Sequence, residues 1–454
     1  MPLKSILFLG AFAVVVVGAL FCPVIGILGY VLHYSTGPER MWWAGAIRGL
    51  GIRYVYTIVI VTAVGMALHF RQLRFGERFF TRHEKLLIVF TGIIWLSAVL
   101  SPPTVGRYTV LDHPSVKFTK VIVFVLMLTH VITTRKRLDW LLWFLAIGTL
   151  ILGWQAYNTP YGQFVRGRLE QVGGPDFVES NVLAAYLACM LPMIGVLFIQ
   201  SRWPGKLLSL AAGVLATNAI VLTRSRTALL GLGAASVAAI ALAPSRHRPK
   251  IGILLCIALL GGLYLSDPQF IERAGSVVEP EEERDTSAQG RIEIWKASLD
   301  LLKANPLGVG VGNFHQSIGR YNPAYEGRDS HNTFVRCYSE LGVQGIAAFL
   351  AVIVSALLVL RRAARQARDL PTEQREWITY ICYGVALSIT AILACGITIT
   401  LLYVEALWWI LGLPVCLERV VANLKEETVS LPLQDTATLS VRSTAPPPKA
   451  LARP

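Results

Sequence analysis

What most limits the folds open to this chain is the recurrence of apolar runs long enough to cross a bilayer. They fall near 5–32, 53–70, 83–101, 117–133, 138–155, 180–200, 206–222, 227–243, 250–266, 336–360, 377–397 and 402–420. A hydrocarbon layer needs about 20 residues of helix per crossing, because it holds no water to satisfy a bare peptide group. Only 15% of the residues are charged, against about 25% in soluble domains. The sequence therefore predicts an all-α polytopic membrane protein with about twelve transmembrane helices and one large, partly helical outward loop. The expected division is helices one to nine over 1–266, the loop over 267–335 and helices ten to twelve over 336–422. A polar tail, 423–454, is expected to be a disordered cytoplasmic extension. The run after Lys4 is too long for a signal-peptide core and has no small-residue cleavage site, so it is read as the first transmembrane helix.

Charge sets the orientation. Basic residues crowd alternate loops: Arg71, Arg74, Arg78, Arg82 and Lys85; Arg135, Lys136 and Arg137; Arg202 and Lys206; Arg246, His247, Arg248 and Lys250; Arg361, Arg362, Arg365 and Arg368. Cytoplasmic loops carry such excess. Both termini are then expected inside, with 34–52, 102–116, 156–179, 223–226, 267–335 and 398–401 outside. The net charge of +14 is accounted for by topology, and no nucleic-acid partner is expected. The seven cysteines are scattered through apolar segments without a Cys-x-x-Cys pair, which indicates neither a zinc site nor a disulfide framework.

Two outward loops depart from the charge rule. One carries Arg166 and Arg168; the other, Thr-Arg-Ser-Arg, carries Arg224 and Arg226 between two closely joined helices. Arginine at a helix end can snorkel to lipid headgroups. It can also clamp phosphate through paired hydrogen bonds, and such a cluster at the outer face suits a lipid pyrophosphate.

The loop 267–335 opens with Asp267-Pro268, a helix stop, and carries a solvated acidic run from Glu279 to Asp285. From Gly290 to Ala304 the spacing of Ile292, Trp295, Leu299 and Leu302 predicts a helix, with Arg291 near its start and Asn305-Pro306 at its end. The glycines of Leu307-Gly308-Val309-Gly310-Val311-Gly312 are not followed by the Gly-Lys-Ser/Thr of a phosphate loop. They are expected to let the chain turn closely against the bundle. Last comes Asp329-Ser330-His331-Asn332, which places His331 at the outer mouth of a helix beside Arg336. A histidine there can be a solvated or capping residue. A neutral imidazole can also accept a proton from a sugar hydroxyl, and nearby arginines would keep it neutral.

Taken in order, Arg224-Ser225-Arg226, Arg291 with Trp295, Asn305-Pro306-Leu307-Gly308-Val309-Gly310, His331-Asn332 and Glu340-Leu341-Gly342-Val343-Gln344-Gly345 resemble the O-antigen ligase family. That family is related to O-antigen polymerases and bacterial O-oligosaccharyltransferases, and the resemblance spans about 180–360. It implies metal-independent, inverting transfer of a glycan from undecaprenyl pyrophosphate to a hydroxyl of the lipid A-core oligosaccharide. The setting would be the periplasmic face of the bacterial inner membrane. The implied partners are the lipid-linked glycan, the lipid A-core acceptor and membrane lipids, and no cofactor. His331 and Arg291 are the expected catalytic residues. Arg224, Arg226, Arg166, Arg168 and Arg336 are the expected pyrophosphate contacts. A polymerase, a protein O-oligosaccharyltransferase or a transporter remain the alternatives. The segment Gly37-Pro38-Glu39-Arg40-Met41-Trp42-Trp43 resembles a subgroup associated with protein sorting and exopolysaccharide systems, which leaves the acceptor open.

Overall fold

The computed structural model describes residues 2–76, 78–102, 108–243, 248–266, 271 and 286–430. Asp267, Pro268, the acidic run to Asp285, Arg246, His247 and residues 431–454 lie outside the described residues.

Helices are α1 (Leu3–Phe21), α2 (Pro23–Thr36), α3 (Tyr54–Leu68), α4 (Arg82–Leu100), α5 (Pro114–Val131), α6 (Arg135–Tyr157), α7 (Ser180–Gln200), α8 (Trp203–Thr223), α9 (Arg226–Leu242), α10 (Arg248–Leu265), α11 (Thr286–Ala304), α12 (Thr333–Gln366), α13 (Thr372–Cys395) and α14 (Glu405–Ser430). Short helical turns join them, and the described residues hold no strand. Ten of these helices are long and apolar enough to cross a membrane, and α3 and α9 are shorter apolar helices. The all-α polytopic expectation holds.

The first apolar run is where the expectation fails. It is two helices, broken at Cys22-Pro23, that fold back on one another. Ile25 of α2 lies 3.0 Å from where a Gly18 side chain would begin, and Val15 packs on Gly29, so the contacts pair symmetrically about residue 22. Proline at the first position of α2 supplies the break, since its missing N–H costs nothing there. As a result α1 starts beside the segment 37–54 that follows α2: the Ser5 hydroxyl donates to the Trp43 carbonyl at 3.0 Å, and Phe8 stacks edge-on to Tyr54 at 5.1 Å. The amino end of α1 therefore lies at the other end of the bundle from where a single first crossing would put it. The tail is also corrected, since α14 carries helix to Ser430 and Asn423 is buried, donating to the Arg74 and Thr133 carbonyls at 2.8 Å each.

The basic loops gather at one end. Arg135 meets Glu373 at 3.2 Å, Arg74 meets Glu427 at 2.9 Å and Lys425 meets Asp369 at 2.6 Å. At the centre, α14 is buried on nearly all faces, and its Trp408 packs among Phe90, Phe118 and Phe349. By contrast α10 has no buried residue and α1 only Ser5 and Ala19, which puts both at the edge of the bundle.

Candidate active site

At the end away from the basic loops, α12 begins with a side-chain cap. Asn332 accepts from the Phe334 and Val335 amides at 2.9 and 3.1 Å, satisfying donors that a helix start leaves open. His331 precedes the cap at φ +46°, in the left-handed region. A non-glycine residue seldom sits there, and such strain gathers at functional sites.

Asp329 organises what surrounds His331. Its Oδ2 accepts the His331 amide at 3.1 Å and the Thr400 hydroxyl at 2.7 Å, and lies 3.7 Å from the His331 Nδ1. Its Oδ1 accepts from Arg336 at 2.7 Å. Arg336 in turn meets Glu340 at 2.8 Å and the His315 ring at 2.9 Å. Exposure falls inward along this chain: the side chains of His331, Asp329, Arg336 and Glu340 are 37%, 24%, 6% and 0% exposed. The imidazole thus closes a line of charges whose other end is sealed in the bundle.

Glu340 holds the glycine segment. Its Oε1 accepts the Gly312 amide at 3.0 Å, its Oε2 accepts the Tyr403 hydroxyl at 2.7 Å, and its carbonyl accepts the Gly310 amide at 3.0 Å. The segment can dock only because Gly308 lacks a side chain, which would strike the Glu340 carbonyl, and because Gly342 adopts φ +69° and kinks α12. The glycines do turn the chain against the bundle.

The arginine turn lies at the same end. Arg224 caps α8 at φ +49° and donates to the Gly167 carbonyl at 2.6 Å. Arg168 donates to the Thr223 carbonyl at 3.0 Å and to Asn181 at 2.7 Å, and the Ser225 hydroxyl meets the same Asn181 oxygen at 2.7 Å. Arg166 is exposed, also at positive φ, and Arg226 opens α9 half-buried. The loop 156–179 and the turn 223–226 are therefore one unit. The segment 396–405 joins it to the histidine loop. Thr398 meets Thr227 at 3.0 Å, the Ile399 carbonyl accepts from Thr333 at 2.8 Å, and Thr400 reaches Asp329. Beyond it the Glu405 amide donates to Asp176 at 3.0 Å, and Asp176 also accepts from Lys117 at 2.6 Å and Tyr34 at 3.1 Å.

The electrostatics favour a neutral imidazole. Partial burial pulls the His331 pKa below its ordinary value, Asp329 pulls it up, Arg291 pulls it down, and the net direction is down. Burial pushes the Asp329 carboxyl up, but Arg336, the Thr400 hydroxyl and both histidines outweigh it, so it is held below the usual carboxylate range. Arg291 is thus close enough to His331 to be felt, and Trp295 on the same helix α11 donates to the Ser330 carbonyl at 2.8 Å.

Of the residues expected from sequence, His331 and Arg291 come together, and Arg168 and Arg224 meet at the neighbouring turn. Arg336 is buried between two carboxylates, where its charge is matched internally. Sequence reasoning gave no role to Asp329, Thr400 or Glu340, although Glu340 opens one of the motifs that carry the resemblance. Asp329 had a signal, standing two residues before His331; Thr400 had none, since 69 positions part it from His331.

Fold and site together define a multi-pass membrane protein that presents a histidine, a carboxylate and arginines at one end of a helical bundle. Residues 211–350 match the family model described as O-antigen ligase, so this region is similar to that family. The match takes in Arg224, Arg226, Arg291, His331 and Glu340 and leaves Thr400 outside. The match supports, in general, a ligase- or polymerase-type glycosyltransferase. No curated protein matches the chain.

Proposed function

We propose that the chain transfers a glycan from undecaprenyl pyrophosphate to a hydroxyl of the lipid A-core oligosaccharide, at the periplasmic face of the bacterial inner membrane. The observation that carries this reading is the setting of His331: a half-open imidazole, depressed in pKa, with Asp329 behind it and Arg291 near it. A pyrophosphate already leaves readily. The protein needs to supply a base for the attacking hydroxyl and cations for charge growing on the leaving phosphate.

In the proposed step the acceptor oxygen bonds to the anomeric carbon and gives its proton to His331. The carbon–oxygen bond to phosphate breaks on the opposite face, and its electron pair leaves with undecaprenyl pyrophosphate. Attack from the opposite face inverts the anomeric centre. Arg291, Arg224 and Arg226 are the proposed leaving-group contacts, with Arg166 and Arg168 at the rim. Arg336 acts from behind, through Asp329. The reaction calls on no metal.

The test is transfer in vitro with purified wild type and His331→Ala, undecaprenyl-pyrophosphate glycan, core lipid and a chelator. Product from wild type alone supports the reading. Product only on a second lipid-linked glycan or on a protein keeps the chemistry and changes the acceptor. Glycan carried into sealed vesicles without covalent product would replace it with transport.

A further inference from the structure

Resting on the assignment of His331 as the base, we infer that Asp329 and Thr400 form a positioning pair that sets the working pose and tautomer of His331. The pair reaches the site from two separate parts of the chain, and one member lies outside the family match.

Three observations carry this. The left-handed backbone of His331 is held by its own amide on Asp329 Oδ2 at 3.1 Å, so the carboxylate fixes the main chain that aims the ring. The same oxygen lies 3.7 Å from Nδ1, longer than a hydrogen bond, and Nδ1 is buried and makes no hydrogen bond, so Asp329 is the carboxylate it faces. Finally, the carboxylate cannot swing away. Oδ1 is held by Arg336 at 2.7 Å and Oδ2 by Thr400 at 2.7 Å. Thr400 is itself fixed, because Thr333 bonds the Ile399 carbonyl at 2.8 Å and the Leu401 amide at 2.9 Å on either side of it.

The chemical consequence follows from which ring nitrogen faces the carboxylate. Nδ1 keeps its proton toward Asp329, which leaves the Nε2 lone pair for the acceptor hydroxyl. As Nε2 takes that proton, the positive charge forms beside a carboxylate already in place. The charged groups around the ring are Asp329 in its own loop, Arg291 on α11, and His315 and Arg336 on the far side of Asp329. The Asp329 charge is in turn felt at Glu179, just before α7. Removing the Asp329 charge leaves Arg291 dominant and makes the ring harder to protonate.

The experiment measures transfer by the full chain across a pH series, with undecaprenyl-pyrophosphate glycan and the acceptor that supports turnover. Thr400→Val is expected to lower kcat about tenfold, the worth of one hydrogen bond to a charged group. Its KM for the donor should stay within about twofold. Thr400→Ser should restore the rate. Asp329→Asn should lower kcat about a hundredfold and move the acid limb of the pH profile to lower pH, a shift that misfolding does not produce. Because Asp329→Asn also breaks the buried pair with Arg336 and can fail to fold, Thr400→Val decides in that case, as it leaves every charge in place. Wild-type rates and an unmoved profile in both variants, with His331→Ala inactive, would overturn the pair and leave the base standing. A Thr400→Val loss that serine does not restore also overturns it. An active His331→Ala overturns the base assignment itself.

Discussion

The two ends of the bundle hold ionic clusters built from the same residue types, and they are finished differently. At the basic end, Glu84 is fully buried. Its oxygens take the Thr81 amide at 2.7 Å, the Thr129 hydroxyl at 2.6 Å and Arg419 at 2.9 Å, with His130 at 3.5 Å. Arg419 and His130 are each 4% exposed. At the other end a glutamate, an arginine, an aspartate and a histidine again run in series, but the last is left 37% exposed in a strained backbone pose. A closed cluster of this kind fastens helices. One that ends in an open, neutral imidazole has a proton acceptor to offer. Similar ingredients are therefore sealed at one end and left open at the other, and exposure of the last member is what marks the open end as the proposed site of chemistry.

Substitutions can break that contrast, starting with the largest effect. His331→Ala should lower transfer by about 10²–10⁴-fold and leave the unfolding temperature in detergent unchanged; a variant equally inactive and unfolded would make His331 a structural residue like His130. Arg419→Met at the closed end should do the reverse. Leaving Glu84 buried without its cation costs about 3–5 kcal/mol, read as a lower unfolding midpoint, while turnover per folded molecule stays at the wild-type level. A loss of turnover beyond the loss of folded protein would mean that the two ends are coupled.

Gly342→Ala falls between the two. Its backbone at φ +69° and ψ −165° is close to glycine-only territory, costing another residue about 1–3 kcal/mol, and the new methyl would strike Pro306 and Leu307. Both stability and transfer should drop, because the segment 307–314 rests on that kink.

The smallest effect sharpens the electrostatic side. Burial and Arg291 lower the His331 pKa, so with His331 as the proposed base activity should fall as pH drops through a value below the ordinary 6.5. Arg291→Gln removes one lowering influence, so the acid limb of its residual activity should move to higher pH. An unmoved limb in pH–rate profiles would separate Arg291 from the ring.

Much of this was readable in the sequence, and the parts that were not share a cause. The crossings could be counted because lipid imposes a length and a composition on each. The same argument missed the fold-back at Cys22-Pro23, since an apolar run looks alike whether straight or doubled, although Pro23 was a visible mark of a helix start. It also cut α12 and α14 short, because apolarity ends at the membrane surface while helical hydrogen bonding carries on to Gln366 and Ser430. In the site, His331, Arg291 and the arginine turn stood out because charged and imidazole side chains are conspicuous in an apolar chain.

What the sequence by itself determined is the class of molecule: an all-helical membrane protein with cations and a histidine in the loops between its helices. Those properties follow from side-chain chemistry and local spacing. Tertiary structure alone decided that Arg336 is consumed by Asp329 and Glu340, and that Thr400 stands behind the histidine loop. Such pairings depend on which helix ends meet in space, and a partner 69 positions away leaves no periodic trace in the chain.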